Sequence, residues 1–292
     1  MDFQFLIGQL FNGLVLGSFY VLLSLGLTII FGMMGVVNFA HGAIYMLGAY
    51  CVYTLVTLCG FNFWVAVLFC PLIVGCIGMV IEYTLLRRTA QLPPFYNLLL
   101  TFGVMIILQE SIRILYSAFG KPFGTPKELS GGVDLGILFF PKYRLFILVV
   151  TTFLALGTWL FLGKTKLGAI IRAGTDDSRM VDALGINISR IFTLVFGMGT
   201  ALAGIAGALA APIQNIFPYM GASVVSDTFV VVIIGGMGSI IGSILGGILI
   251  GELLTIGVLL WPPMANVSIY LFMAFMLLVR PRGLFGREKF FE

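Results

Sequence analysis

At 292 residues, 60% of them hydrophobic and only 10% charged, with a mean hydropathy of +1.12, the chain cannot be an ordinary soluble domain. Its net charge of +4 comes from sixteen basic and twelve acidic residues, and these gather at a few places instead of covering a solvated surface. The composition predicts an all-α, polytopic integral membrane protein: a single transmembrane domain over 1–292 with no attached soluble domain.

A spanning helix needs about 20 apolar residues. Apolar material covers 5–31, 42–59, 63–86, 95–118, 144–163, 191–211, 227–260 (interrupted at 235–242) and 266–279. That makes about eight membrane elements, some discontinuous. The start, MDFQFLIGQL, carries Asp2 and no basic run, so no cleavable signal peptide is expected. Arg87 and Arg88 close the third segment. Lys164, Lys166, Arg172, Arg179 and Arg190 lie between the fifth and sixth, and Arg280, Arg282, Arg287 and Lys289 form the tail. Basic flanks stay in the cytoplasm, so these three regions, the C-terminus included, are expected inside and the loop 119–143 outside. The side of the N-terminus stays open. In that loop GKPFGTP and SGG read as turns. The material between the sixth segment and the last must begin and end outside, which requires a descent to Gly235, a break, and a return from Ser239.

Two interruptions share a pattern. IIFGMMG (Ile29–Gly35) and VIIGGMG (Val232–Gly238) both read three apolar residues, glycine, any residue, methionine, glycine, 203 residues apart. The match hints at a parallel internal duplication. Glycine allows positive φ and close backbone approach, and a broken helix frees N–H and C=O groups that hydrocarbon cannot satisfy. Such backbone survives where protein buries it or where it lines a wet cavity, and discontinuous helices near the midplane are a recurrent way to build a transport site. The expected translocation path is therefore Gly32, Gly35, Asn38, His41, Gly235, Gly236, Gly238 and Ser239, with Glu252, an acid deep in an apolar run, as a further lining residue. His41, the sole histidine, keeps three readings open: a packed side chain satisfied by a carbonyl, part of the path, or a metal or proton relay. Asn38 can cap the helix starting near Phe39, and Asp227 can cap another. Glu110 and Arg113, three apart, are expected to pair, and Glu82 lies near Arg87. The four cysteines, Cys51, Cys59, Cys70 and Cys76, read as small packing residues; no Cys/His spacing suggests a metal.

The segment 164–190 is the longest hydrophilic stretch assigned to the inside. Thr175 or Asp176 can cap a short helix with Asp177 near its start, and Gly185 can end it. Met180, Val181 and Leu184 fall on one face. So short a helix needs something to dock on, and a cytoplasmic partner is favoured over the chain's own membrane domain. GKT at Gly163–Thr165 lacks the earlier glycine of a phosphate loop, because Thr158 stands there. With no catalytic triad and no paired carboxylates, the chain is not expected to be an enzyme, and no cofactor, metal or nucleic acid is called for; membrane lipid is its expected surround.

FNGLVLGSFYVLLSLGLTIIFGMMGVVNFAHG (Phe11–Gly42), IRAGTDDSRMVDALGINISR (Ile171–Arg190) and GGMGSIIGSILGG (Gly235–Gly247) resemble the LivH-type permeases of branched-chain amino acid ABC transporters. The resemblance runs in order across nearly the whole chain. It implies an importer in the bacterial inner membrane, with a LivM-like second permease, two cytoplasmic ATP-binding subunits and a periplasmic binding protein. It places the region of Arg172, Thr175, Asp176, Asp177, Met180, Leu184 and Gly185 in a groove on an ATPase. Many relatives have proline after the GS of the last motif, where this chain has Ile240. Relatives also import urea, short amides and some aromatic acids, so the substrate is left open between branched-chain amino acids and a related small polar solute. The implied mechanism is alternating access driven by ATP. Two rivals remain: a passive channel with two half-helices, and an ion-coupled secondary transporter using Glu252.

Overall fold

The computed structural model describes residues 3–89, 92–134, 136 and 139–286. Asp2, Arg287 and Lys289, used above for orientation, lie outside them. The chain folds into α1 (Phe3–Met34), α2 (Ala40–Thr57), α3 (Phe63–Thr89), α4 (Pro94–Tyr116), α5 (Lys142–Lys164), α6 (Lys166–Asp176), α7 (Ser178–Ala183), α8 (Ile188–Ala210), α9 (Met220–Gly235), α10 (Ile240–Leu260) and α11 (Ala265–Val279). Seven helices are long and apolar enough to cross a membrane, and α9 is a shorter apolar helix. α2, 18 residues long and largely buried, packs among them. The eight expected segments are present, and the interrupted seventh is the hairpin α9–α10.

Helix α1 is the axis of the bundle. Its 32 residues rise about 48 Å, and its middle is almost wholly enclosed, with Leu22, Leu25 and Ile30 fully buried. α1 runs antiparallel to α10: Gly17 lies on Gly247 and Gly251, Ser24 on Ser243, and Gly32 on Gly238. Glycine makes this contact possible, since membrane helices attract one another through close packing rather than through expulsion of water. At Gly17 a Cβ would sit only 3.0 Å from the Gly247 carbonyl oxygen and Ile248 Cα. Buried hydroxyls seal the same seam, with Thr28 Oγ1 and Ser243 Oγ 2.5 Å apart and Ser24 Oγ donating to the Ser243 carbonyl at 3.2 Å. α2 crosses α8 where Gly48 meets Gly204 and Gly207 meets Tyr45.

The two ends of the bundle differ. One carries Arg87, the α5–α6 junction and Arg280. There α3 loosens into a π-turn over Glu82–Leu86, and buried Glu82 accepts from Thr193 Oγ1 at 2.6 Å and pairs with Arg87 at 3.5 Å. Arg87 also donates to the Ser189 carbonyl at 3.1 Å, clasping α3 to the start of α8. The other end carries the loop 119–143, which contains a short antiparallel hairpin, β1 (Gly132–Asp134) with β2 (Phe139–Pro141), where the sequence suggested turns. The start of α1 belongs to this loop end: Phe11 stacks near Phe140 at 5.2 Å, and Arg144 donates to the Asn12 side-chain carbonyl. Glu110 and Arg113 pair here at 2.6 Å.

Candidate functional site

Both glycine clusters break the chain in the same way. In the first, Gly32 lies in the last turn of α1 and Gly35 takes φ +63°; in the second, Gly235 ends α9 and Gly238, at the matching position, takes φ +82°. These positive angles favour glycine. The glycine turns meet at the basic end, and from Gly35 the first break climbs back to the middle of the bundle, where α2 starts beside Leu23 and Gly26. A Cβ on Gly32 would be 3.5 Å from Gly238 Cα and 3.8 Å from Thr175 Cγ2. The freed carbonyls of α9 are taken by the C-terminal segment: Leu284 N–H donates to the Ile234 carbonyl at 2.8 Å and Phe285 N–H to the Gly235 carbonyl at 3.0 Å. Ser239 caps α10, its hydroxyl accepting from Gly242 N–H at 3.1 Å.

A cavity of about 210 Å³ opens at this junction, walled by Gly32, Gly238, Ser239, Arg172, Thr175 and Phe285 among others. It brings together members of the two sequence-derived groups, the path glycines and the segment thought to touch an ATPase. α6 supplies the second group through its buried face: Gly174 rests on Met33 and Ile188, and Ile171 is enclosed. Thr165 caps α6 by accepting from Gly168 N–H at 3.0 Å. Thr175 and Asp176 do not cap a helix, because α6 continues through them; Asp177 caps α7, accepting from Arg179 and Met180 N–H, each at 3.0 Å. Gly185, φ +85°, follows the end of α7 as the sequence required. The apolar residues of α7 divide. Val181 is buried, whereas Met180 and Leu184 stand 65% and 75% exposed.

The other expected path residues lie apart from that cavity. His41 is fully buried in α2 near the middle of the bundle, its Nε2 3.0 Å from the Leu23 carbonyl and its ring against Gly26. Asn38 is equally buried; it does not cap α2, and its amide finds no hydrogen-bond partner among the described residues. Gly236, φ +99°, is backed by the Gly286 backbone. Glu252 lies against Gly13 of α1, with Oε2 buried and unpartnered among the described residues.

One polar group eluded the sequence reading. Asp227 does not open a helix. It sits in the middle of α9, which starts seven residues earlier, at Met220, and accepts from Tyr20 Oη at 2.8 Å and Tyr270 Oη at 3.2 Å. The helix starts early because the chain dips back after α8: Ile216 pairs with Lys121, and Gly221 packs on Gly42. An acid inside an apolar helix was the available signal.

Residues 9–279 match the family described as branched-chain amino acid transport system / permease component. The chain belongs to this family. It is 32% identical to the high-affinity branched-chain amino acid transport permease BraD of Pseudomonas aeruginosa, with 96% of each chain covered. It is 29% identical to LivH of Escherichia coli, over 99% of this chain and 98% of that one. A match to the LivM permease of Escherichia coli, 28% identical, covers 75% of this chain and 57% of that one. The protein is thus a multi-pass membrane transport permease component and not an enzyme. The candidate residues of this permease fall into three zones: the junction at the basic end, the packed centre around His41, and the Asp227 cluster.

Proposed function

We propose that this permease is the membrane subunit of an ATP-driven importer of branched-chain amino acids or a related small polar solute, working by alternating access in the bacterial inner membrane with its basic end in the cytoplasm. Its partners in this reading are a LivM-like second permease, two cytoplasmic ATP-binding subunits and a periplasmic binding protein that delivers solute to the loop end. One observation carries the proposal. The α6–α7 hook presents Met180 and Leu184 to the outside while its other face packs Gly174 on Met33 and walls the cavity shared by Gly32, Gly238 and Ser239. A motor seated on Met180 and Leu184 therefore bears on the end of α1 through Gly174 and Met33, and on the α9–α10 turn across the cavity.

Each part has a role in this scheme. Arg172, Thr175, Asp176 and Asp177 hold the hook's shape and position, and Gly185 lets the chain turn back into α8. Gly32, Gly35, Gly235, Gly236, Gly238 and Ser239 form the hinge and the inner mouth of the path. Asn38, buried with an amide unpartnered among the described residues, and Glu252, with one carboxylate oxygen likewise unpartnered, are groups that the opposite conformation can expose to solute; His41 holds α2 to α1 between the two states. A passive channel has no use for the exposed hook. The test is uptake into vesicles holding the permease pair with its ATP-binding subunits and binding protein. Uptake should stop when ATP is withheld and persist when ion gradients are collapsed; the opposite result would establish an ion-coupled transporter instead.

A further inference from the structure

Asp227 is the one ionisable residue of α9, and it lies at a crossing of three helices. A carboxylate removed from water is costly unless hydrogen bonds or a counter-charge compensate it. Two tyrosine hydroxyls supply part of this, Tyr20 from α1 at 2.8 Å and Tyr270 from α11 at 3.2 Å. An ionised carboxylate offers about four acceptor positions, so two donors leave it with acceptor capacity unused.

That capacity faces a cleft. A cavity of about 490 Å³ is walled by Gln9, Leu16, Tyr20, Asp227, Thr255 and Asn266 among others. Gln9 lies near the start of α1 and Asn266 in the first turn of α11, both at the loop end. Tyr20 is eleven residues further along α1, about 16 Å deeper, so Asp227 forms the floor. A second cleft, of about 390 Å³ and nearly all apolar, continues beyond it, with Leu27, Phe31, Phe229, Ile233, Tyr270 and Met273 in its walls. Gln9, Leu16, Tyr20, Leu27 and Phe31 recur at intervals of 7, 4, 7 and 4 along α1, which is one helical stripe. The two clefts thus lie in line along α1, and the bonds from Tyr20 and Tyr270 to Asp227 form a bar between them. Ser223 and Ser226, exposed on α9, add polar positions that lipid would not favour.

We propose that Asp227 is the recognition point for a cationic amine: the ammonium group of the transported solute binds this carboxylate at the floor of the outer cleft, and its apolar portion enters the inner one. The ammonium supplies both the counter-charge and the missing donors. Tyr20 and Tyr270 are positioning residues that hold the carboxylate across the groove. A solute with no positive group is disfavoured here, which narrows the substrate class to amines and zwitterions. The inference rests on the importer reading for its transport step, but its binding step is independent of that reading.

Two measurements test it. In vesicles holding the complete complex, Asp227→Asn should lower leucine uptake per assembled complex by about tenfold or more, while Asp227→Glu retains a substantial part. A structural role would instead reduce the amount of assembled complex in parallel with uptake. Wild-type uptake per complex in Asp227→Asn, or loss only in step with assembly, overturns the proposal. The second measurement needs no transport. With the four native cysteines replaced by serine in the complex, Thr255→Cys should prefer a cationic over an anionic methanethiosulfonate by about tenfold more than a small free thiol does, and adding Asp227→Asn should bring the preference down to the free-thiol value. A preference no larger than that of the free thiol with Asp227 present overturns the proposal. A wild-type complex that fails to take up leucine on ATP speaks against the importer reading, while the labelling ratio still decides the amine site.

Discussion

Replacing Met180 and Leu184 together by serine should detach the permease from its motor without unfolding it. Full burial of a leucine or methionine side chain is worth about 1.5–3 kcal/mol. With 65% of Met180 and 75% of Leu184 exposed in the lone chain, a partner that covers them gains about 1–2 kcal/mol from each. Losing both removes about 2–4 kcal/mol, which weakens binding between about 30-fold and about 700-fold at 1.4 kcal/mol per factor of ten. Surface substitutions of this sort change a protein's own stability by no more than about 0.5 kcal/mol, so the folded permease survives to be measured. The assay is titration of the purified ATP-binding subunit onto the permease pair in nanodiscs. Val181→Ser is the control: Val181 is 4% exposed, and its loss should loosen the hook itself and lower the melting temperature. A double variant whose Kd stays within about threefold of wild type would refute the docking argument.

Glycine positions should respond unequally to alanine. Gly32→Ala adds a methyl at 3.5 Å from Gly238 Cα and 3.8 Å from Thr175, ordinary contact distances, and should leave stability within about 0.5 kcal/mol; Gly48→Ala drives its methyl into the Gly204 carbonyl and should cost about 1–3 kcal/mol, both read by thermal melting of the purified complex. Asp177→Ala removes the side-chain acceptor for two N–H groups and about 1 kcal/mol of helix stability, which should speed hydrogen exchange across 178–184 about fivefold; unchanged exchange would show that the cap is idle. Ending the chain at Arg282 strands the Ile234 and Gly235 carbonyls that Leu284 and Phe285 now satisfy, at about 1–3 kcal/mol for each group left buried. A melting temperature unaffected by that truncation would mean that water takes over both bonds.

Much of the architecture was legible in the sequence because hydrocarbon imposes a length and a polarity on each span. The apolar runs mark the membrane helices, and the requirement to start and finish on one side marks the α9–α10 hairpin. Paired glycines with methionine marked both breaks, and Gly35 and Gly238 do take positive φ. Depth was not legible. Sequence distance from a span's end says where a break falls along its own helix, but the C-terminal segment folds back under Gly236, and that contact sets the level of the turn. Caps were misread by one or two residues for a similar reason: Thr175 and Asp176 are as good at capping as Asp177, and packing of Gly174 on Met33 carries α6 through them. Asp227 was mistaken for a cap because the apolar run seemed to begin there in the sequence. The six residues before it, GASVVS, are small and mixed, and only the dip of the preceding loop onto Lys121 brings them into the membrane helix.

The hook, the hinge and the amine site form one mechanical series. Gly174 lies on Met33, Thr175 and Gly32 face Gly238 across the cavity, and from Gly235 the helix α9 runs back to Asp227 over eight residues, about 12 Å. Gly174 packs on Met33 with no side chain of its own to yield, while Gly32, Gly238 and Thr175 face one another across the cavity of about 210 Å³. A pull on α7 that closes this cavity presses on the turn at 236–239, and with it the lower end of α9. Asp227 then moves relative to Tyr20, which is fixed on α1, and the 2.8 Å bond between them is the contact placed to open. Gly32→Leu tests the chain of contacts at its narrowest link. Three carbons beyond the alanine methyl enter the cavity of about 210 Å³ and prop the hook away from the turn. ATP hydrolysis by the assembled complex should continue while uptake falls by roughly tenfold, the effect of about 1.4 kcal/mol on the transport barrier. If uptake and hydrolysis instead fall together, or neither changes, force does not pass through Gly32.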